Sequence, residues 1–322
     1  MSEFRKFLFE GLPVRGVVVR LTDSWQELQG RREQPLPAAV TALLGEMSAC
    51  ALLLQGNLKF QGALILQMAG DGPVKLAVAE ARTDLSYRAT ANVTGAVPQL
   101  GAQGFNLADL LNVHGGGRCA ITLDPDDRPQ GVQPYQGVVP LNDEQAGRFG
   151  RLAEAVEQYM KLSEQLDTKI MLAADGHSAA GLLIQRMPLA GEGNLEGGGL
   201  DAERAAELAD AFPRLALKVG TLTREELLQL PMDDLLHRLF WEEPLRHFEP
   251  AAPRFACTCS RERVGRMLVG LGREEVESIL TERAEVEIAC NFCGAPYRFD
   301  AVDCAQLFQA EGSVAASPGG VH

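Results

Sequence analysis

The sequence holds no run of Lys or Arg longer than Arg31-Arg32, and its 30 basic side chains are outnumbered by 43 acidic ones, for a formal net charge of −13. Nucleic-acid phosphates reward clustered Lys and Arg, so no nucleic-acid partner is expected. The N-terminus, Met1-Ser2-Glu3-Phe4-Arg5-Lys6, lacks the apolar core of a signal peptide. Nothing downstream reads as approaching the roughly 20 apolar residues of a membrane span. A cytoplasmic protein with no membrane partner is the expectation. Signatures of common enzymes are missing too. There is no nucleophile elbow and no metal-ligating His pair, and Asp126-Asp127 and Asp233-Asp234 read as turn and helix-cap residues. His114-Gly115-Gly116-Gly117-Arg118 lacks the Gly-Lys-Ser/Thr ending of a phosphate loop and leads into a strand, so it reads as a hairpin turn. The chain is expected not to be an enzyme.

Seven cysteines are present, and four fall into tight pairs: Cys257-Thr258-Cys259, then, 30 residues on, Cys290-Asn291-Phe292-Cys293. In a reducing compartment spaced cysteines bind metal or do chemistry more often than they form structural disulfides. Two thiol pairs fit one tetrahedral zinc, with sulfurs about 2.3 Å from the ion. Four unligated thiols, or a ligand set recruiting Cys304, His247 or His237, stand as alternatives. Four thiolates would close the zinc shell, whereas a catalytic zinc keeps a position open for water, so hydrolase chemistry is disfavoured. A thioredoxin-like pair needs a helix starting beside its first cysteine, but here Gly294 and Pro296 follow. Arg254, Arg261, Arg263 and Arg298 either offset the thiolate charge or are ordinary surface arginines. Cys50 and Cys119, in apolar surroundings, read as small buried hydrophobes.

With 46% hydrophobic and 23% charged residues the composition is that of a chain with a sizeable core, and the length suggests roughly two domains. Residues 1–188 read as one α+β unit, a largely antiparallel sheet packed with helices. Its strands are expected at 14–21, 59–68, 74–79, 85–91, 118–123, 135–141, 170–174 and 181–186, with turns such as Gly70-Asp71-Gly72-Pro73 between them. Helices are expected over 36–54, with Val40, Leu43, Leu44 and Met47 on one face, and over 143–166. Residues 189–249 form a linker. Five glycines in 189–199 suggest a hinge, and the helices beyond it are cut short by Pro213, Pro231 and Pro244. Thr223 and Glu226 make a capping box. Pieces of roughly three turns are marginal alone, so this segment, apolar at Leu227, Leu230, Leu235, Leu236, Leu239, Phe240 and Trp241, should be stable only when docked. Residues 250–306 form the cysteine module, with Ser260 capping a helix and Cys290–Gly294 at a hairpin tip. The tail, 307–322, reads as disordered.

Phe255-Ala256-Cys257-Thr258-Cys259-Ser260-Arg261-Glu262-Arg263, Cys290-Asn291-Phe292-Cys293 and Tyr297-Arg298-Phe299-Asp300 resemble the zinc module of the 33 kDa heat-shock chaperonin family. Tyr135-Gln136-Gly137-Val138-Val139-Pro140-Leu141 and Gly181-Leu182-Leu183-Ile184-Gln185 resemble its core-domain signatures. The resemblance implies a redox-regulated, ATP-independent holdase for unfolded client proteins under oxidative stress. It implies one zinc on Cys257, Cys259, Cys290 and Cys293 in the inactive reduced state. It further implies that oxidation forms the disulfides Cys257–Cys259 and Cys290–Cys293, releases zinc and unfolds the linker, with a homodimer as an oxidised form. A Cys-x-Cys disulfide is tight but feasible, since two residues span at most about 7 Å. Cys50, Cys119 and Cys304 are thiols outside the matched motif. Two other classes compete: a static zinc-ribbon scaffold or adaptor, and a thiol-disulfide oxidoreductase using Cys290 and Cys293.

Overall fold

Residues Ala38–Asn57 form a 20-residue helix that is apolar on every side rather than along the one face expected. The reason is its position. It packs against strands of two different sheets, so both its flanks are interior. Contrary to the expectation that no stretch approaches a membrane span, in length and composition it could cross a membrane, but 89% of that stretch is buried inside the protein. A helix hydrophobic all round is a buried one. At Gly45 an added Cβ would collide with Ala174, so the glycine is needed for the helix to lie against the sheet.

The computed structural model describes all residues except 33, 102–103, 130, 144–146, 189–201 and 315–322. Its elements begin β1 (Glu3–Phe9), β2 (Val14–Leu21), α1 (Asp23–Gly30), α2 (Ala38–Asn57), β3 (Gly62–Ala69), β4 (Val74–Arg82), β5 (Ser86–Val93) and α3 (Leu107–Leu111). They continue β6 (Arg118–Pro125), β7 (Tyr135–Pro140), β8 (Asn142–Asp143), β9 (Gly147–Arg148), α4 (Leu152–Tyr159), β10 (Thr168–Ala174) and β11 (Ala179–Arg186). The remainder are α5 (Ala202–Gly220), α6 (Arg224–Gln229), α7 (Met232–Phe240), β12 (Leu245–His247), β13 (Arg254–Phe255), α8 (Arg261–Leu271), α9 (Arg273–Glu282), β14 (Glu285–Ala289), β15 (Pro296–Asp300) and α10 (Ala301–Val314).

Backbone packing gives two compact units, one of Met1–Gly30 with Gln34–Ala256, the other of Arg31–Glu33 with Cys257–His322. The first is α+β, as expected. Its five-stranded sheet runs β10-β11-β2-β1-β12 and its six-stranded sheet β13-β5-β4-β3-β6-β7. All pairs are antiparallel except β13 with β5. The period-two alternation of β2 divides its side chains between two cores. Val17, Val19 and Leu21 face α2, while Val14 and Val18 face the opposite side of the sheet.

Several elements depart from expectation. β1 was not anticipated, because Arg5 and Lys6 interrupt its apolar pattern; yet Phe4, Phe7 and Phe9 are all buried. The helix expected over 143–166 is shorter, with β8 and β9 before α4 and a π-helical turn, Met160–Glu164, after it. Pro213 lies inside α5 instead of ending it. The lost hydrogen bond is tolerated because Ala211, Leu215 and Val219 anchor the helix on the sheet. In the second unit α10 extends through Val314, into the segment expected as a tail. The Gly-rich stretch read as a hinge lies outside the described residues.

Candidate metal centre

Each cysteine pair is presented by a local structure that its neighbours dictate. The Cys257–Cys259 turn leads into α8, whose N-cap Ser260 accepts a hydrogen bond from the Arg263 amide. Cys290 and Cys293 occupy the tip of the β14–β15 hairpin. There the Gly294 amide donates to the Cys290 carbonyl at 2.8 Å and the Cys290 amide to the Ala295 carbonyl at 3.0 Å. Gly294 has φ +70°, a conformation that glycine adopts without a Cβ penalty.

The two turns bring the four Sγ atoms within 4.8 Å of one another, and they are the one such cluster among the described residues. The shortest separations cross between the turns, 3.7 Å for Cys257–Cys290 and 3.3 Å for Cys259–Cys293. Thiolates about 2.3 Å from a central ion at tetrahedral angles lie roughly 3.8 Å apart, so this donor set fits a zinc-sized cation. Partial burial, followed by the neighbouring thiols, pushes Cys293 upward against the pull of the Ala295 amide. Four ionised sulfurs at such separations repel one another unless a cation compensates them.

Two residues around the thiols have contacts that the sequence does not announce. Tyr297 on β15 donates its hydroxyl to Cys259 Sγ at 3.1 Å. That bond, then burial and the surrounding thiols, holds the phenol above its ordinary range. Arg263, read only as a possible counter-charge, donates to the Thr258 carbonyl at 2.8 Å and to its Oγ1 at 2.7 Å, bracing the turn between Cys257 and Cys259. The other arginines pair with carboxylates. Arg254 bonds Asp84, Arg261 bonds Asp303 at 2.6 Å while stacking over Phe299, and Arg298 bonds Glu287 at 2.7 Å.

Cys304 is buried with Leu268, Val276, Val286 and Phe299 in the small core of this unit, and so packs rather than joining the cluster. His237 and His247 belong to α7 and β12 of the other unit. Cys50 and Cys119 are fully buried, and desolvation pushes both thiols up, Cys119 to about 12. The loop 114–118 joins α3 to β6 and is not a hairpin turn. Its His114 and Gly116 amides already donate to the Asp71 carboxylate, at 3.1 and 2.6 Å.

A second feature lies within the larger unit. The outer face of the five-stranded sheet is apolar, and α5–α7 cover it. Leu215, Val219, Leu235, Leu236 and Leu239 are buried against Val18, Leu182 and Ile184. Phe7 presses so closely over β2 that a Cβ at Gly16 would overlap its ring. Arg20 reaches from β2 to the Leu227 carbonyl at 2.8 Å, and the expected Thr223–Glu226 capping box is present. Trp241, expected on the docked side, is instead 67% exposed.

A family model described as Hsp33 protein matches residues 2–300. The chain is 43% identical to the 33 kDa chaperonin of Methylobacillus flagellatus over 96% of its own length and 95% of that protein. It is 42% identical to the 33 kDa chaperonin of Chromobacterium violaceum, over 98% and 96% of the two chains. In fold it is similar to the crystal structure of the 33 kDa chaperonin from Thermotoga maritima, with a TM-score of 0.75 at 23% identity, covering 97% of this chain and 99% of the other.

Proposed function

The chain belongs to the Hsp33 family, and from that premise we propose that it is a cytoplasmic, ATP-independent holdase chaperone, inactive while reduced and zinc-bound and activated by oxidation. The observation that carries the reading is the cluster of four half-buried thiols in a unit with very little apolar core of its own. Units this small commonly need a metal or a disulfide to stay folded.

Cys257, Cys259, Cys290 and Cys293 would hold the zinc, which supplies a cross-link between the two turns and the charge that keeps four thiolates together. Tyr297 and Arg263 hold the first turn in place. A peroxide supplies the oxidant. For each disulfide, two thiols give up two electrons and two protons, the O–O bond breaks, and hydrogen peroxide leaves as two waters. The proposed pairs are Cys257–Cys259 and Cys290–Cys293, because short loops close most readily once the sulfurs are released. Without its cross-link the cysteine unit loses order. The linker helices, which depend on docking, then open and leave the apolar sheet face to unfolded clients.

The test measures zinc content, disulfide connectivity by peptide mapping, and suppression of client aggregation without nucleotide, before and after peroxide with mild heat. The expected result is loss of zinc together with gain of suppression. Sedimentation of the oxidised form tests the homodimer. A static zinc scaffold would keep its metal and suppress nothing, and a thiol-disulfide oxidoreductase would turn over a dithiol substrate. A dominant Cys259–Cys290 link would overturn the pairing.

A further inference from the structure

The segment joining α7 to the first cysteine is a strap that occupies an edge of each sheet. β12 closes the five-stranded sheet beside β1, with Phe7 opposite His247, Leu8 opposite Arg246 and Phe9 opposite Leu245. β13, a few residues later, closes the six-stranded sheet beside β5. The attachments are main-chain hydrogen bonds. Glu10 donates to the Pro244 carbonyl at 2.9 Å and Phe248 to the Lys6 carbonyl at 3.0 Å. Phe4 and Ala251 exchange bonds of 2.8 and 2.9 Å. Arg254 donates to the Leu85 carbonyl at 3.2 Å and Ala256 to the Tyr87 carbonyl at 3.0 Å.

Side chains anchor the two ends of this strap, Leu245 against the five-stranded sheet's core and Phe255 with the Arg254–Asp84 ion pair beside β5, but not its middle. Every residue from Arg246 to Ala252 is exposed, and Pro253 is the one strap residue fully buried. Pro244, which accepts from the Glu10 amide, has no amide hydrogen with which to return a bond, and this thins the ladder at that end. The middle of the strap is therefore held by main-chain hydrogen bonds, and the strap ends at Ala256, one residue before Cys257. An extended segment with an amide hydrogen at the Pro244 position could form every main-chain bond that the strap forms and one more. Unpaired strand edges are templates for such addition.

We propose that the strap Pro244–Ala256 is a built-in placeholder, and that its release opens the edges of β1 and β5 to extended segments of unfolded client chains, which bind by strand addition. This rests on the holdase reading and names its mode of recognition. The β1 edge adjoins the sheet face carrying Phe7 and Phe9, so backbone pairing and apolar packing act on the same client segment. Backbone pairing also explains how one surface accepts clients of unrelated sequence.

The test is amide hydrogen exchange on the full oxidised chain, alone and with reduced, carboxymethylated α-lactalbumin as a permanently unfolded probe. Phe4 and Glu10 amides should exchange at least ~10-fold faster after oxidation and regain protection when the probe binds. A synthetic Pro244–Ala256 peptide should displace the probe. N-methylation at Phe248 and Ala256, whose amides donate to the edges, should weaken that competition at least ~10-fold, and N-methylation at His247 and Phe255 should not. Probe binding without renewed protection at Phe4 and Glu10 overturns the inference and leaves the holdase reading intact. So does protection that rises with protein concentration alone, which would place a second copy of the chain on the edges. Failure of the oxidised protein to bind the probe at all overturns the holdase reading, and the inference with it.

Discussion

Phe9 on β1 and Phe240 at the end of α7 meet edge to face, with ring centroids 4.9 Å apart and planes at 88°. Phe7 lies against the same ring at 6.1 Å. This aromatic cluster fastens the last linker helix to the sheet.

Phe240→Ala should therefore open the linker without oxidation. Deleting a buried aromatic side chain costs about 3–5 kcal/mol, most of it felt locally by a helix that short. Hydrogen exchange across residues 202–240 should speed up in the reduced, zinc-bound protein, and client suppression should appear without peroxide. Unchanged exchange would show that Phe240 is not a fastening.

Cys293→Ser should abolish stoichiometric zinc binding, whereas Cys304→Ser should keep it while destabilising the small unit by about 1–3 kcal/mol through an unpartnered buried hydroxyl. Metal analysis and thermal melts separate the two. Full zinc in Cys293→Ser with loss in Cys304→Ser would reverse the ligand assignment.

Tyr297→Phe removes one hydrogen bond to Cys259 Sγ and leaves the ring in place. Partners of metal ligands typically change affinity about 10–100-fold, so a fall near the lower bound is expected in a chelator competition. Peroxide-driven zinc release should also quicken. Affinity within twofold of the native protein would make the contact incidental.

Glu46 on α2 is buried, and desolvation raises its carboxyl to about 8 despite Arg224 at 3.7 Å and the more distant pull of Arg151. The folded state thus holds a proton that the unfolded chain loses above about 4.5. The stabilisation this gives is complete below that value and is lost as pH rises toward 8, by on the order of 4 kcal/mol at most. Glu46→Gln should flatten the denaturation profile between pH 5 and pH 8 and gain relative stability at the alkaline end. A parallel pH profile for both proteins would show that Glu46 is ionised in the fold.

Much of the local structure was legible in the chain. The strand at 14–21 keeps its expected limits because its apolar residues and flanking turn signals are local. The Thr223–Glu226 box and the Ser260 cap were readable because their donors and acceptors lie three residues apart. The hairpin that presents Cys290 and Cys293 followed from alternation on both sides of a glycine turn. β1 was missed because Arg5 and Lys6 mask its pattern, and only the pairing of both its edges makes a strand of it. The pattern of α2 predicts the helix but only one apolar face, since nothing local announces that a second sheet lies on its other side.

The sequence by itself determined the two cysteine pairs, their turns, the caps and the alternation of the strands, because each depends on residues a few positions apart. Only the tertiary structure decided that four sulfurs separated by 30 intervening residues converge within 4.8 Å, and that Tyr297 turns its hydroxyl onto one of them. It alone decided that helices too short to stand by themselves are held by Phe7 and Phe9, and that the strap before Cys257 closes two sheets at once. The physical reason is range. Hydrogen bonds within a turn and side-chain periodicity are written locally, whereas burial and strand-edge pairing join segments whose encounter is fixed by the packing of the whole unit.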